Sequence, residues 1–223
     1  MPDPADPAFL VRHPPKLQAE PNVSRWAPVR REAVARQAPA PRAEPVARVR
    51  TRTPEETRNV VQVLGRTQRS GGRLWVRIRL PSGMRERLGW LDRRALGGYG
   101  FVRTRLIVEL PRLRATLLRG GDPVFSTAIG VGGPGSPTPT GEFYVRNMLT
   151  RYRSPEYGPI AFGTSARSDL LTDWPAGGFV GIHGTDRPDL LPGRVSHGCI
   201  RMPNRAIRRL VGLMPVGTPL TIR

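Results

Sequence analysis

The sequence predicts a mainly β protein with one helix near its carboxyl end. Three observations lead to this prediction. Short apolar–polar alternations recur from residue 57 onward, turns rich in Gly and Pro separate them, and a single late segment follows the helical period instead. Short strands between closely spaced turns are typical of β-sandwiches and β-barrels. With 223 residues, the chain has room for one or two domains.

The first segment, residues 1–56, differs from the rest in composition. Proline, alanine and arginine dominate it, and neither a helical nor a strand period is sustained. Such a segment buries too little apolar surface to offset the entropy lost on ordering. We therefore expect residues 1–56 to be a disordered Pro/Ala/Arg-rich linker, stiff enough to act as a spacer.

Residues 57–97 form a second predicted unit. Apolar residues alternate with arginines over 74–80, as in a half-buried strand, and a turn at 81–83 precedes another short apolar run. Several short strands so close together predict a small β-barrel. Trp75-Val76, followed by the segment 89–96 around Trp90, resembles a bacterial SH3-like domain, a common partner of wall enzymes.

Residues 101–223 form the third unit. Its predicted strands cover residues 105–110, 113–118, 124–129, 142–148, 160–162, 179–182 and 218–222, and a long loop covers 149–178. A helix opens at Pro203 or Asn204, because apolar residues then follow at i, i+3, i+4 and i+7. These residues are Ile207, Leu210, Val211 and Met214.

The only cysteine, Cys199, lies close in sequence to two of the three histidines, His183 and His197. A thiol becomes a strong nucleophile when a nearby imidazole takes its proton. Glycines beside these residues let backbone N–H groups approach a developing oxyanion. The composition of this stretch predicts covalent catalysis by a cysteine.

Two other interpretations of the stretch stay open. His-x-Cys begins some zinc sites, with Asp186 or Asp189 completing the set, although a structural site needs four ligands. Alternatively, Cys199 is a buried small hydrophobic residue and both histidines are structural.

Two blocks resemble a known family. The run Ser196-His197-Gly198-Cys199-Ile200-Arg201, with the upstream residues 182–185, resembles the catalytic signature of the L,D-transpeptidases. Residues 129–143, which contain Pro137-Thr138-Pro139-Thr140-Gly141, are similar to a second segment of that family. The resemblance covers roughly residues 101–223 and implies the YkuD-like β-sandwich or barrel, acting on peptidoglycan without metal or cofactor.

The resemblance also implies roles for individual residues. Cys199 is the nucleophile, and His183 is the base, with its second nitrogen held by the Gly184 carbonyl. His197 remains an alternative base, because side chains two apart in an extended chain share a face. The N–H groups of Gly198 and Cys199 are candidates for an oxyanion hole.

Further residues are expected to shape the site. Ser196 orients the loop around the thiol. Arg201 binds a substrate carboxylate, which suits guanidinium geometry, although a solvated arginine is the competing interpretation. Tyr157 and Trp174 lie in the long loop, which matches the family's flap, and are expected to line the cleft.

The implied reaction is acyl transfer in cell wall biogenesis, with a role in cell shape. Cys199 attacks the L,D peptide bond before the terminal D-Ala of a tetrapeptide stem, and an amine acceptor completes a 3→3 cross-link. Water as the acceptor would give an L,D-carboxypeptidase instead. Carbapenem-type inhibitors are expected to acylate the same thiol. The alternative is a non-catalytic peptidoglycan-binding protein that acts through the SH3-like domain.

Composition limits the remaining partners. The formal net charge is +19, but the aromatic residues (6%) do not interleave with arginines, so no nucleic-acid partner is expected. No apolar run is long enough to cross a membrane, and the first thirty residues lack the apolar core of a signal peptide. An extracytoplasmic location would then require another export route or a signal absent from this sequence. Nothing in the sequence indicates the oligomeric state.

Overall fold

The computed structural model describes residues 20–70, 72–150, 154–168 and 178–223. Its first seven strands are β1 (Ser24–Pro28), β2 (Ala33–Arg36), β3 (Pro45–Val49), β4 (Val60–Ser70), β5 (Arg73–Arg79), β6 (Leu88–Asp92) and β7 (Gly100–Val102). They form one sheet, the N-terminal sheet, in the order β3-β2-β6-β5-β4-β1-β7.

The prediction of a disordered linker is wrong for residues 20–56, since β1, β2 and β3 are strands of the N-terminal sheet. β1 pairs with β4 and β7, and β2 pairs with β3 and β6. Pairing therefore supplies the burial that the segment cannot achieve alone, with Ala27, Val29, Ala35 and Val49 in the core. Residues 1–19 lie outside the described residues.

The second predicted unit also differs from the structure in its extent. The N-terminal sheet takes three strands from before residue 57 and β7 from beyond residue 97. The segment 57–97 therefore supplies only the middle strands of this sheet. Its resemblance to an SH3-like domain stays a prediction.

Ten further strands form the second sheet. They are β8 (Thr104–Glu109), β9 (Arg114–Arg119), β10 (Asp122–Ala128), β11 (Gly130–Gly132), β12 (Gly141–Leu149), β13 (Ala161–Arg167), β14 (Phe179–His183), β15 (Gly193–Ser196), β16 (Ile200–Arg201) and β17 (Pro219–Ile222). Their order is β10-β9-β8-β17-β12-β13-β14-β16-β11-β15. This mainly β architecture confirms the predicted fold class.

Strand β12 changes partners along its length, which curls the second sheet. Residues 141–144 pair with β17, whereas residues 145–149 pair with β13. β13 is longer than the predicted strand at 160–162 and occupies part of the expected loop. The short strands β11, β15 and β16 were not predicted from the sequence.

The predicted helix is confirmed as α1 (Asn204–Val211), the α-helix of the described residues. Its side chains Ala206, Ile207 and Leu210 join the core of the second sheet, while the arginines at 205, 208 and 209 are exposed. The spacing of these apolar residues therefore explains both the helix and its orientation.

The two sheets contact each other directly. Arg79 Nη1 donates to the Glu142 carbonyl over 2.9 Å, and the Tyr144 hydroxyl donates to the Val60 carbonyl over 3.2 Å. Ser82 forms a parallel bridge with Ala166 of β13. Burial raises the pKa of Tyr144 to about 12, so this hydroxyl keeps its proton. Among the described residues, no helix is long and apolar enough to cross a membrane.

Candidate active site

Two parallel strands bring the predicted residues together. β14 and β16 pair in parallel, with Ile182 opposite Ile200 and both side chains fully buried. His183 ends β14, and Cys199 directly precedes β16. Burial of the two isoleucines therefore fixes the register that sets the cysteine beside the histidine strand.

The sulfur and the imidazole flank the same small space. Cys199 is 7% exposed and His183 is 1% exposed. A Cβ on Gly181 would lie 3.9 Å from Cys199 Sγ and 3.7 Å from His183 Cδ2. The Gly181 N–H donates to the sulfur over 3.4 Å, and this donor would stabilise negative charge there. The sequence interpretation missed Gly181, which carries no reactive side chain.

The protonation state of His183 follows from its contacts. Its Nδ1 lies 2.6 Å from the Gly184 carbonyl oxygen. Because a carbonyl only accepts, Nδ1 carries the proton, and Nε2 of the neutral ring is the acceptor. Burial lowers the pKa of His183 to about 4; the Gly184 hydrogen bond opposes this shift and the charge of Arg201 adds to it. The ring is therefore neutral near pH 7.

Tyr157 contacts the imidazole directly. It ends a 3₁₀ turn, Pro155–Tyr157, and its ring centroid lies 4.7 Å from that of His183 in an edge-on arrangement. The sequence interpretation expected a cleft-lining residue. The geometry adds a packing contact that holds the His183 ring in place.

Asn204 fixes the turn that holds His183. Its Oδ1 accepts a hydrogen bond from the Thr185 N–H over 3.0 Å. Gly158 and Gly184 approach Asn204 Oδ1 so closely that a Cβ on either glycine would collide with it. The sequence interpretation assigned Asn204 only to the start of a helix, because nothing local signals a partner about twenty residues away.

The loop between β15 and β16 is closed by Ser196. Its Oγ donates to the Cys199 carbonyl over 2.6 Å and accepts from the Gly198 N–H over 3.1 Å. Gly198 has φ +119°, which favours glycine at this bend. The contacts of Ser196 agree with the predicted orienting role. The Gly198 N–H bonds to Ser196 Oγ in this structure, and its role in an oxyanion hole stays a prediction.

The second sequence block wraps the same loop. Thr138 Oγ1 donates to the Gly198 carbonyl and accepts from the Gly132 N–H, each over 2.9 Å. Ser136 Oγ donates to the carbonyl of His197 over 2.7 Å. No role for Thr138 is predicted from the sequence, because its partner Gly198 lies in a distant segment of the chain.

His197 does not meet the condition for a competing base. The chain bends at residues 197 and 198, and His197 is exposed while Cys199 is buried. Their side chains therefore do not share a face, as an extended chain would require.

Arg201 lies beside the site. It pairs with His183 across the strands and with Gly130 of β11. Among the described residues, its buried Nε has no hydrogen-bond partner. Trp174, the other predicted cleft residue, lies outside the described residues.

The zinc alternative finds no support in the described part of the chain, where no three His, Cys, Asp or Glu side chains cluster as a metal site. Asp189 instead pairs with Arg187 over 3.1 Å, and both side chains are exposed.

A family model for the YkuD L,D-transpeptidase catalytic domain matches residues 103–222. The chain belongs to this family. This confirms the resemblance carried by the two sequence blocks. The L,D-transpeptidase family acts on peptidoglycan, outside the cytoplasmic membrane.

Similar proteins include the Bacillus subtilis protein YkuD, named as a candidate L,D-transpeptidase, and its Bacillus licheniformis counterpart. They are 42% and 34% identical to this chain over 85 residues, which cover 38% of this chain and 44% of each relative. This L,D-transpeptidase family member thus matches less than half the length of these curated relatives.

Solved structures similar to this family member include an Enterococcus faecium L,D-transpeptidase mutant, with 28% identity and a TM-score of 0.43 over 54% of this chain and 49% of the other. Another is the Ldtfm–avibactam carbamoyl enzyme, with 30% identity and a TM-score of 0.43; the match covers 54% of this chain and 48% of the other.

Proposed function

We propose that this chain is a peptidoglycan L,D-transpeptidase in which Cys199 is the nucleophile and His183 is the general base. One observation carries the proposal: Cys199 Sγ and the His183 ring flank the same space beside Gly181, and Nδ1 is held by the Gly184 carbonyl. The free lone pair is then on Nε2, the nitrogen that accepts a thiol proton.

In the acylation step, Nε2 takes the proton of Cys199 as the sulfur attacks the carbonyl carbon of the third stem residue. The C–N bond to the terminal D-Ala breaks, and the imidazolium returns the proton to the leaving amine. A negative sulfur beside the ring favours the imidazolium, which offsets the low pKa set by burial. The product is a thioester on Cys199.

In the second step, the side-chain amine of another stem attacks the thioester. A new amide forms, the C–S bond breaks, and the thiol regains its proton, which completes a 3→3 cross-link. Water as the acceptor gives a tripeptide and an L,D-carboxypeptidase activity. The peptidoglycan substrate implies an extracytoplasmic site of action.

Arg201 is the proposed contact for a substrate carboxylate. Its guanidinium carries a buried N–H without a partner among the described residues, close to the strand that ends in His183. A carboxylate would satisfy this donor and neutralise the charge. Tyr157, whose ring contacts that of His183, is proposed to line the same cleft.

The test is incubation of the full chain with a purified disaccharide-tetrapeptide, followed by mass spectrometry. Wild type should release D-Ala, carry a thioester adduct on Cys199 and produce a cross-linked dimer, and a carbapenem should acylate the same residue. Cys199→Ala should lose all of these products. Retention of turnover and adduct by Cys199→Ala would refute the proposal.

Other outcomes identify the alternatives. Tripeptide without dimer would indicate a carboxypeptidase. Binding of Cys199→Ala to purified sacculi, combined with no turnover by wild type, would favour a wall-binding protein.

A further inference from the structure

A cavity of about 500 Å³ opens in the N-terminal sheet, lined by residues remote in sequence from Cys199. Three arginines, a threonine and two glycines are among the residues that line it. The residues are Arg30, Thr51, Arg52, Arg58, Gly97 and Gly98. We call it the arginine cavity.

Two of these arginines are held opposite each other. Arg52 and Arg58 form an antiparallel bridge, and both are exposed. Like charges in directly opposite positions destabilise a strand pair. Among the described residues, neither side chain has a carboxylate partner; Arg52 Nη1 donates to the Glu56 carbonyl over 2.6 Å. The local fold therefore holds these two positive charges opposite each other, with no carboxylate partner for either among the described residues.

The turn between these arginines fixes their spacing. The Thr53 N–H donates to the Thr57 carbonyl over 2.9 Å, and the hydroxyls of these threonines lie 2.8 Å apart. The Asn59 N–H donates to the Thr51 carbonyl over 2.8 Å. Because backbone hydrogen bonds hold the chain on both sides of Arg52 and Arg58, a ligand would not have to order this segment on binding.

We propose that the arginine cavity is a binding site for an oxyanion group, carboxylate or phosphate, separate from the Cys199 site. The planar guanidinium fork matches the two oxygens of either group, and the single bond from Arg52 to Glu56 leaves other N–H groups of that fork for a ligand. The cavity volume falls in the range of small-molecule sites. The site goes beyond the proposed acyl transfer and does not depend on it.

The experiment titrates the full chain with pyrophosphate and, separately, with citrate at constant ionic strength, using calorimetry. The double variant R52Q/R58Q should bind at least about tenfold more weakly, because the ligand loses its charge-assisted hydrogen bonds to two guanidinium groups. The control R205Q/R208Q removes the same charge from exposed positions on α1 and should stay within about twofold of wild type.

Preference for pyrophosphate would assign a phosphate ligand, and preference for citrate a carboxylate ligand. Equal weakening of binding in R52Q/R58Q and R205Q/R208Q would mean that overall charge alone attracts the anion, which would overturn the proposed site. Unchanged binding by R52Q/R58Q, or no binding by wild type, would overturn it as well. The melting temperature of R52Q/R58Q checks that it is folded, and the single variant R58Q replaces it otherwise. Carbapenem acylation of Cys199 should be equal in wild type and in all variants. Absence of acylation in wild type would contradict the proposed function and would leave the arginine cavity unaffected.

Discussion

Glu55 of the N-terminal sheet region forms a buried ion pair with Arg146 of β12. Arg146 Nη2 lies 2.9 Å from Glu55 Oε1, and the side chains are 2% and 11% exposed, respectively. The same guanidinium donates through Nε to the Thr164 carbonyl over 2.6 Å and lies 3.7 Å from the Phe179 ring centroid. Phe179 begins the strand that ends in His183, so one arginine joins the N-terminal sheet region to the strand of the proposed base.

Asn147 reinforces this junction from the next position on β12. Its Nδ2 donates to Glu55 Oε2 over 3.0 Å and to Thr57 Oγ1 over 2.9 Å, while its Oδ1 accepts from the Gly163 N–H. The family match begins only at residue 103. Two buried polar side chains within the matched region thus have partners that precede it, so the N-terminal sheet region and the matched region share a buried polar contact.

Removing Glu55 should destabilise the protein strongly. Burial lowers the pKa of Arg146 and the charge of Glu55 opposes that shift, so Glu55→Ala leaves a buried cation uncompensated. We expect the free energy of unfolding to fall by about 3–5 kcal/mol in urea denaturation. Glu55→Ala/Arg146→Met should lose less than the two single variants combined. The control Glu32→Ala removes an exposed pair with Arg48 and should cost about 1 kcal/mol or less. Additive losses at Glu55 and Arg146 would contradict the coupling.

Replacing Thr138 should loosen the loop that carries the proposed nucleophile, Cys199. Thr138→Val keeps the side-chain shape but leaves the Gly132 N–H and the Gly198 carbonyl without their shared partner. The expected cost is about 1–3 kcal/mol of stability, together with slower acylation of Cys199 by a carbapenem. Ser136→Ala is the matched control, because this hydroxyl serves only the exposed His197 carbonyl. Similar losses in both variants would show that Thr138 has no special role.

Reactive residue types and local periodicity allowed much of the molecule to be predicted from its sequence. The lone Cys199 and the upstream His183 lie close together as expected. The helix α1 begins at Asn204 as predicted, because the spacing of its apolar residues lies within the helix itself. These features depend on short-range patterns, which a single sequence records directly.

The unpredicted features depend on partners distant in the chain. The strand Ala33–Arg36 contains no strong apolar run, and it lies between β3 and β6 in the sheet. The roles of Gly181 and Asn204 arise from backbone contacts across the fold, with Cys199 and Thr185 respectively. The composition of a segment indicates how much apolar surface it can bury by itself. These residues are instead stabilised by neighbouring strands and loops that are distant in sequence.

The two histidines should respond differently to substitution. His183→Ala removes the proposed base, which is buried, and should slow acylation on the order of 10²–10⁴-fold. His197→Ala removes the same residue type from an exposed bend, where Ser136 bonds to the backbone carbonyl of His197, and should stay close to the wild-type rate. Stopped-flow or mass-spectrometric acylation by a carbapenem measures both. If His197→Ala were the slower variant, the assignment of the base would be wrong.

Stability should depend on pH through His183. Its pKa is about 4 in the folded chain, against about 6.5 when unfolded. Between these values the unfolded state binds more protons, so the free energy of unfolding is undiminished above pH 6.5 and falls as the pH drops toward 4. The loss attributable to this group is on the order of 3 kcal/mol. Urea denaturation at pH 7 and pH 4 should show a smaller decrease for His183→Gln than for wild type, since glutamine has no such proton to gain. His197→Gln should retain the wild-type decrease, and an equal decrease in His183→Gln would mean that the buried imidazole does not govern this dependence.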